Sequence, residues 1–153
     1  MADNDKNICA EHLPYWRTSG SSPGVWLDRA ADQIEKAGGT VYVRAEGRDP
    51  VRGCVAYLIE FELHGEHFRV TWPVVPSRSQ DKTAPAAAKR QAATMLFHDI
   101  KGRCMSAQVL GARTAFFAFL VLPSNTTAAQ AALPEVNDAL QGFGPRALPE
   151  GKT

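Results

Sequence analysis

The sequence has no large excess of charge of either sign, and it has few cysteines. Its 153 residues carry 17 Lys and Arg against 16 Asp and Glu, so the formal net charge is +1. This balance excludes a basic field over the whole surface, and a nucleic-acid role would therefore have to depend on a local patch. The three cysteines, Cys9, Cys54 and Cys104, are odd in number and far apart. They argue against a disulfide framework and favour a reducing compartment.

Long apolar runs are also absent. The longest, residues 115–122, is too short to cross a bilayer, and the polar start of the chain, residues 1–7, precedes no apolar signal segment. We therefore expect a cytoplasmic protein with no membrane contact. Length and apolar content predict one globular domain that buries its own core. We expect an N-terminal arm over residues 1–21, the domain over 22–123, and a partly disordered tail over 124–153.

Motifs for catalysis and metal binding are scarce as well. The sequence contains no glycine-rich phosphate loop, nucleophile elbow or zinc-protease helix, so we expect no enzyme activity and no cofactor. Cys9 with His12, and His64 with His67, have the short spacing of zinc ligands. However, a turn explains His64, and pairing with Glu62 explains His67. No further ligand pair supports a metal site, and we predict none.

The clearest positive signal is a β-hairpin over residues 54–75. Two runs of alternating apolar and polar residues are joined by His64 and Gly65, a two-residue turn in which Gly65 supplies a positive φ. This turn length fixes the register of the two strands. The predicted pairs are Tyr57–Trp72, Ile59–Val70 and Phe61–Phe68 on one face, and Leu58–Thr71, Glu60–Arg69 and Glu62–His67 on the other. Such a pattern is typical of a half-buried antiparallel sheet.

Helical and strand periodicity before the hairpin predicts one helix and one more strand. Ser22 is a suitable N-cap, Pro23 suits the first helical position, and Gly38 and Gly39 end the helix. The buried stripe of this helix is Leu27, Ala30, Ala31, Ile34 and Ala37. Trp26 is expected in the core. The strand over residues 40–46 is expected to carry Val41, Val43 and Ala45 on one face.

A second long helix is predicted to begin near Pro85, after a polar linker over residues 77–85. Its buried stripe recurs at offsets of three and four: Ala93, Leu96, Phe97, Ile100, Cys104 and Ala107. The apolar segment that follows fits a helix or a buried strand, and we favour a helix because Ala112, Ala115, Phe116 and Phe119 share a face. Phe116 and Phe119 are then candidates for a homo-oligomer contact. A short tail helix is expected over 128–132 or 135–141.

The predicted fold class is therefore α+β, with a three-stranded antiparallel sheet and helices on one face. The order is α-β-β-β-α followed by an apolar C-terminal helix. Over roughly residues 22–107 this order resembles double-stranded-RNA-binding domains and the core of the Rad52-type single-strand annealing proteins of phages and recombination systems. The segment AAAKRQAA over 86–93, preceded by Lys82, is similar to the lysine- and alanine-rich start of the second helix in the RNA-binding family. The resemblance implies a module that binds DNA or RNA, from a phage or another mobile element.

Seven basic residues are the candidates for contact with phosphate. They lie in the loop after the first strand and around the second long helix: Arg48, Arg52, Arg78, Lys82, Lys89, Arg90 and Lys101. A helix N-terminus adds backbone donors and a positive dipole end. The outer sheet face is a poorer candidate, because Glu60 and Glu62 neutralise its basic residues and Tyr42 is its single aromatic. Alternatively these cations are ordinary solvated side chains, and the chain is a protein-interaction or oligomeric assembly module.

Overall fold

The computed structural model of the protein describes residues 8–141. Its helices and strands are α1 (Pro23–Lys36), β1 (Thr40–Arg48), β2 (Val55–Leu63), β3 (Glu66–Pro73), α2 (Ala84–Leu110), α3 (Ala112–Ala115) and α4 (Ala128–Gln141). The strands form one antiparallel sheet in the order β1-β2-β3, which confirms the predicted α+β class. None of the helices in the described range has both the length and the apolar content needed to cross a membrane. The final ten residues, where disorder was expected, lie outside that range.

The β2–β3 hairpin has the predicted turn and register. His64 and Gly65 both have positive φ values, 51° and 78°, as a two-residue turn between twisted strands requires. Leu63 lies opposite Glu66, and every predicted cross-strand pair is observed. One face of the hairpin is consequently continuous and apolar, and it forms the floor of the core.

A β-bulge in β1 is the main departure from the sequence pattern. The register shifts between Val41, which lies opposite Phe61, and Val43, which lies opposite Glu60. Tyr42 is the extra residue, so each later side chain changes face. Val43 is 36 % exposed on the outer face. The prediction that Val43 and Ala45 share one face with Val41 is therefore wrong, because strict alternation does not allow for an inserted residue.

Beyond the bulge, β1 turns charged side chains toward the helices. The guanidinium of Arg44 lies 3.3 Å from the carboxylate of Asp28 on α1. The carboxylate of Glu46 accepts a hydrogen bond from the Tyr57 hydroxyl and lies 3.1 Å from the ammonium of Lys89 on α2. Burial raises the pKa of Tyr57, with a further contribution from the negative charge of Glu46, and its hydroxyl therefore remains a donor. These contacts join the edge strand to both helices.

The core lies between the sheet and two helices that run in the same direction. Trp26, near the start of α1, packs 5.2 Å from Phe97, and Lys36, at the end of α1, shares a cleft with Met105 of α2. The predicted stripes of both helices are buried, with Ala37 and Phe97 half-buried at their margins. Trp26 is half-buried rather than fully enclosed. Ser22 caps α1 by accepting a hydrogen bond from the Val25 amide, as the sequence predicted.

The apolar segment after α2 is helical only at its start. α3 ends at Ala115, a 3-10 turn covers Phe117–Phe119, and the chain then becomes extended. Leu120 bridges to Phe68, and the amide of Val121 donates to the His67 carbonyl at 2.8 Å. The unpaired backbone groups at the β3 edge explain this change from helix to strand-like pairing.

Phe116 belongs to the core and is not a surface residue. It is 0 % exposed, and its ring centroid lies 5.1 Å from that of Phe61 and 5.5 Å from that of Phe68. Phe119 is half-buried beneath the guanidinium of Arg103. An oligomer contact formed by Phe116 and Phe119 together, as the sequence suggested, would therefore require the core to open. The apolar periodicity could not separate a buried face from an exposed one.

The described part of the N-terminal arm docks on α2 through one buried amide. Gln91 is 2 % exposed, and its Nε2 lies 2.7, 3.3 and 3.0 Å from the carbonyl oxygens of Ala10, Leu13 and Pro14. The amide of Ala10 donates to the Pro76 carbonyl at 3.0 Å. The arm is therefore held between α2 and the linker after β3.

Glu11 also fastens the arm to that linker. Its carboxylate accepts hydrogen bonds from the Ser77 hydroxyl and the Arg78 amide. The Ser77 hydrogen bond is the main reason that the pKa of Glu11 is lowered to about 2. A lowered folded-state pKa means that the ionised carboxylate of Glu11 is more stable in the folded state than in the unfolded state, so it contributes to the stability of the fold. This stabilisation is complete above the unfolded pKa, which is about 4.3 for Glu.

We expect Glu11→Gln to remove part of the acid sensitivity of the fold. In the parent chain the Glu11 contribution is lost as the pH falls from about 4.3 toward 2, where the folded-state carboxylate takes up its proton. Urea unfolding at a series of pH values measures the slope of the free energy of unfolding against pH. Glu35→Gln, at an exposed position of α1, is the matched control and should leave the slope unchanged. Equal slopes for the parent and Glu11→Gln would contradict the assignment.

Two glycines should respond in opposite ways to the same substitution. A Cβ on Gly39 would lie 2.7 Å from the Glu62 carbonyl oxygen and 2.7 Å from Cγ2 of Ile34, whereas a Cβ on Gly102 would meet nothing within 4 Å. Gly39→Ala should destabilise the fold by about 1–3 kcal/mol, because backbone has to move. Gly102→Ala, in the interior of α2, should stabilise it by about 0.5–1 kcal/mol. Chemical denaturation of both variants checks the pair, and a stabilising Gly39→Ala would show that the close approach is absent.

Candidate nucleic-acid interface

The seven predicted cations are distributed over several surfaces. Arg48 and Arg52 line a groove on the outer face of the sheet, whereas Lys89 lines a groove at the start of α2. Lys101 lines the cleft between α1 and α2. The remaining three are exposed or half-buried residues of the linker and of α2: Arg78, Lys82 and Arg90. The structure therefore does not bring the seven residues into one groove.

Acidic partners further divide this set. The Lys89 ammonium lies 3.1 Å from Glu46, and the Arg52 guanidinium lies 3.0 Å from Asp49. Within residues 8–141, four of the seven make no ion pair: Arg48, Lys82, Arg90 and Lys101. No carboxylate of the described residues compensates the charge of these four side chains.

The start of α2, where the sequence suggested phosphate binding, already faces a carboxylate. Asp81 accepts a hydrogen bond from the Thr83 amide at 3.1 Å, and the Arg17 guanidinium lies 3.3 Å from its second oxygen. Hydrogen bonds from the Thr83 amide and hydroxyl hold the pKa of Asp81 below its usual value, so it is charged at neutral pH. A negative charge thus already compensates the positive end of the helix dipole.

A cluster of aromatic and basic side chains lies where the arm meets the two helices. We call it the aromatic–basic patch, and it comprises Tyr15, Trp16, Arg17, Trp26, Arg29 and His98. The rings of Tyr15 and His98 are stacked, with centroids 4.9 Å apart and planes 12° apart. The Trp26 ring lies 6.0 Å from His98. Tyr15 is 38 % exposed, and His98 is also exposed, so both rings meet solvent.

Guanidinium groups cover two rings of this patch. The Cζ atom of Arg29 lies 4.6 Å from the Trp26 centroid, and that of Arg17 lies 5.2 Å from the Trp16 centroid. Cations over aromatic faces are attracted by the ring quadrupole. Trp26 is fixed further by its Nε1–H, which donates to the Ser19 hydroxyl at 2.7 Å. The patch is therefore organised before any ligand arrives.

The backbone of the arm is strained at this patch. Tyr15 and Arg17 have φ values of 67° and 56°, a left-handed conformation that costs roughly 1–2 kcal/mol for a residue other than glycine. Such strain persists only where surrounding contacts determine the conformation, and it concentrates at functional sites. Here those contacts are the hydrogen bond from Gln91 to the Pro14 carbonyl, the stacking of Tyr15 on His98 and the ion pair of Arg17 with Asp81.

The cleft between α1 and α2 continues the patch. It has a volume of about 350 Å³, and its polar lining consists of Gln33, Lys36, His98, Lys101 and Gln108. Lys36 and Lys101 make no ion pair with any residue in the described range. Cys104 also lines the cleft, and burial raises the pKa of its thiol to about 11, which keeps the sulfur neutral. The cleft therefore offers positive charge but no thiolate nucleophile.

The sequence-based prediction found only Lys101 in this region. It placed Trp26 in the core and assigned residues 1–21, which include Tyr15 and Trp16, to an N-terminal arm. The sequence does contain a local signal for such a patch, since two consecutive aromatic residues, Tyr15 and Trp16, are followed by the cation Arg17. What the sequence does not show is that the arm folds over α2 and stacks Tyr15 on His98.

The paired cysteine and histidine positions do not form a larger ligand cluster. The Cys9 sulfur lies 3.3 Å from Nδ1 of His12, and Nδ1 of His64 accepts a hydrogen bond from the Ala112 amide. His67 lies 3.8 Å from a carboxylate oxygen of Glu60 rather than against that of its cross-strand neighbour. Within residues 8–141, no three histidine, cysteine or acidic side chains are arranged to hold a metal ion.

Comparisons with protein-family models, with curated proteins and with solved structures find no match to this chain. The resemblance to double-stranded-RNA-binding and single-strand annealing proteins stays a prediction that depends on the order of helices and strands.

Proposed function

We propose that the chain is a nucleic-acid-binding module whose interface is the aromatic–basic patch together with the α1–α2 cleft. The observation that carries this proposal is the exposed Tyr15–His98 stack, bordered by Arg29, Lys36 and Lys101. Aromatic faces that stack on bases, combined with cations that follow the phosphate backbone, are the usual elements of such interfaces. The proposal assigns no catalytic residue.

The spacing of the cations suits a chain of phosphates better than a single anion. Arg29 and Lys36 are seven residues apart on α1, which places them on one face and about 10 Å apart along the helix axis. Lys101 approaches the same cleft from α2. Arg90 lies seven residues before Phe97, which places it on the same face of α2. The net charge of +1 is compatible with this role, because Lys36 and Lys101 line one cleft and make no ion pair within the described residues.

The assignment predicts distinct effects for charge and for stacking variants. Lys101→Ala should weaken binding and reduce the slope of log K against log salt by about 0.7–0.9, since one phosphate contact is lost. Tyr15→Leu should weaken binding by about 1–3 kcal/mol while leaving the salt slope unchanged, because it removes stacking and no charge. Fluorescence anisotropy with labelled single- and double-stranded DNA and RNA, at several salt concentrations, measures both quantities.

Lys89→Ala is the matched control for Lys101→Ala. Lys89 lies on the same helix but is already paired with Glu46 and lines a different groove. It should change the affinity and the salt slope much less. Absence of binding to all four probes at micromolar protein would refute the proposed function, and equal effects of the two lysine variants would refute the location of the interface.

A second candidate function, a protein-interaction or assembly module, is favoured by one feature of α4. Leu133, Val136 and Leu140 are 56 %, 47 % and 55 % exposed, and their spacing of three and four places them on one helix face. Exposed apolar stripes of this kind are typical of helix–helix contacts. This stripe, rather than Phe116, is the apolar surface that self-association would use.

If α4 mediates self-association, Leu133→Ser with Leu140→Ser should convert an oligomer to a 16.6 kDa monomer without unfolding it. The substitutions remove apolar contact area between chains and alter no buried residue. Light scattering coupled to size exclusion measures the mass, and Leu110→Ser, at another exposed apolar position, is the control. A parent chain that remains monomeric at high concentration would exclude this role for α4.

A further inference from the structure

The outer face of the sheet carries a groove that the proposed function does not use. It has a volume of about 350 Å³ and lies between the β1–β2 loop and the segment that follows α3. Its floor is the outer side of the hairpin, with Ala56 and Leu58 from β2 and Thr71 from β3. This face would normally meet solvent, but here Ala56 is only 2 % exposed.

The first wall, the loop after β1, is fixed by its own hydrogen bonds. The carboxylate of Asp49 is buried and accepts from the amides of Val51 and Arg52 and from the Arg52 guanidinium. Burial alone would raise the pKa of Asp49, but these hydrogen bonds outweigh it and hold the pKa below its usual value. The loop is closed by the Gly53 amide, which donates to the Asp49 carbonyl at 2.7 Å.

The second wall is tied to β3 by an arginine. Arg69 donates to the backbone carbonyl of Asn125 at 3.0 Å and to its side-chain oxygen at 2.8 Å, and it also bonds to Glu60. This holds the turn before α4 against the sheet. Phe119 and Ala129 from this wall add apolar surface to the groove. Both walls are therefore built before a ligand binds.

The charge of the lining is positive. The charged residues that line the groove are three arginines and one acid, which gives a formal charge of +2: Arg48, Arg52, Arg69 and Asp49. Arg52 and Arg69 are matched by Asp49 and Glu60. Within residues 8–141, Arg48 makes no ion pair, and its guanidinium donates to the Gly53 carbonyl at 2.7 Å. Most of its five N–H donors remain for a ligand.

We propose that this groove binds a small organic anion, a carboxylate attached to an apolar body, with Arg48 receiving the carboxylate. The apolar body lies on Leu58 and against Phe119, and the planar guanidinium of Arg48 matches the two carboxylate oxygens. Pockets for small molecules are usually preformed, mostly apolar and supplied with a few polar groups that orient the ligand. The groove has each of these properties, and it lies on the opposite side of the sheet from the α1–α2 cleft.

Octanoate is a suitable probe, with 1-octanol as the uncharged control and inorganic phosphate as the control for charge alone. In NMR spectra of the ¹⁵N-labelled chain, octanoate should shift the amides of Ala56, Leu58 and Thr71 and leave that of His98 in place. Its affinity should exceed that of octanol and of phosphate at least tenfold. Equal affinity of octanol, shifts confined to other surfaces, or no shift at millimolar octanoate would overturn the proposal.

Two variants separate the charge of the groove from its shape. Arg48→Met should lower the affinity for octanoate at least tenfold and leave the affinity for octanol unchanged. Lys82→Met, outside the groove, should alter neither affinity. Leu58→Trp fills the half-exposed floor of the groove and should abolish octanoate binding. It tests the groove independently if Arg48→Met does not fold. Full octanoate affinity in folded Leu58→Trp would contradict the assignment. Oligonucleotide binding should be unaffected by Arg48→Met, so failure of this inference is distinguishable from failure of the proposed function.

Discussion

The tight turn at His64 and Gly65 is the constraint on which the rest of the structure depends. It fixes the β2–β3 register, and the register places Ile59, Phe61 and Phe68 on one side of the sheet. A slip of one residue would move all these side chains to the opposite face. Both long helices and the Phe116 ring pack on this surface. The α1–α2 cleft exists because the same apolar floor seats the two helices next to each other.

The candidate interface depends on a second, smaller constraint, the burial of Gln91. This amide satisfies carbonyl groups of an arm that has little regular structure. A buried polar group without partners is unfavourable, so the amide and the arm stabilise each other. The result is that Tyr15 and Arg17 are held in left-handed conformations beside His98. The candidate interface is therefore assembled from residues far apart in the chain.

Local chemistry made the hairpin and the two long helices predictable. The turn residues set the β2–β3 register, and Ser22, Pro23 and the spacing of apolar residues define α1. The bulge at Tyr42 could not be predicted, because packing of β1 against the hairpin and the helices selects it. The same limit applies to the interface: Lys101 was found as a cation, whereas the Tyr15–His98 stack depends on tertiary docking. Leu120 joins β3 because an open strand edge is nearby, which no local pattern shows.

The bulge in β1 also bears on how the sheet ends. Within residues 8–141, β1 pairs with β2 alone, so its other side presents unpaired backbone groups, which are templates for strand addition from another chain. An extra residue twists such an edge, and Arg44, Glu46 and Arg48 charge it. At the opposite edge, Leu120 bridges to Phe68 and the Val121 amide bonds to the His67 carbonyl, so the first part of β3 is covered. The charged and bulged β1 edge and the partly covered β3 edge both disfavour strand pairing with another chain, and hence the formation of fibres.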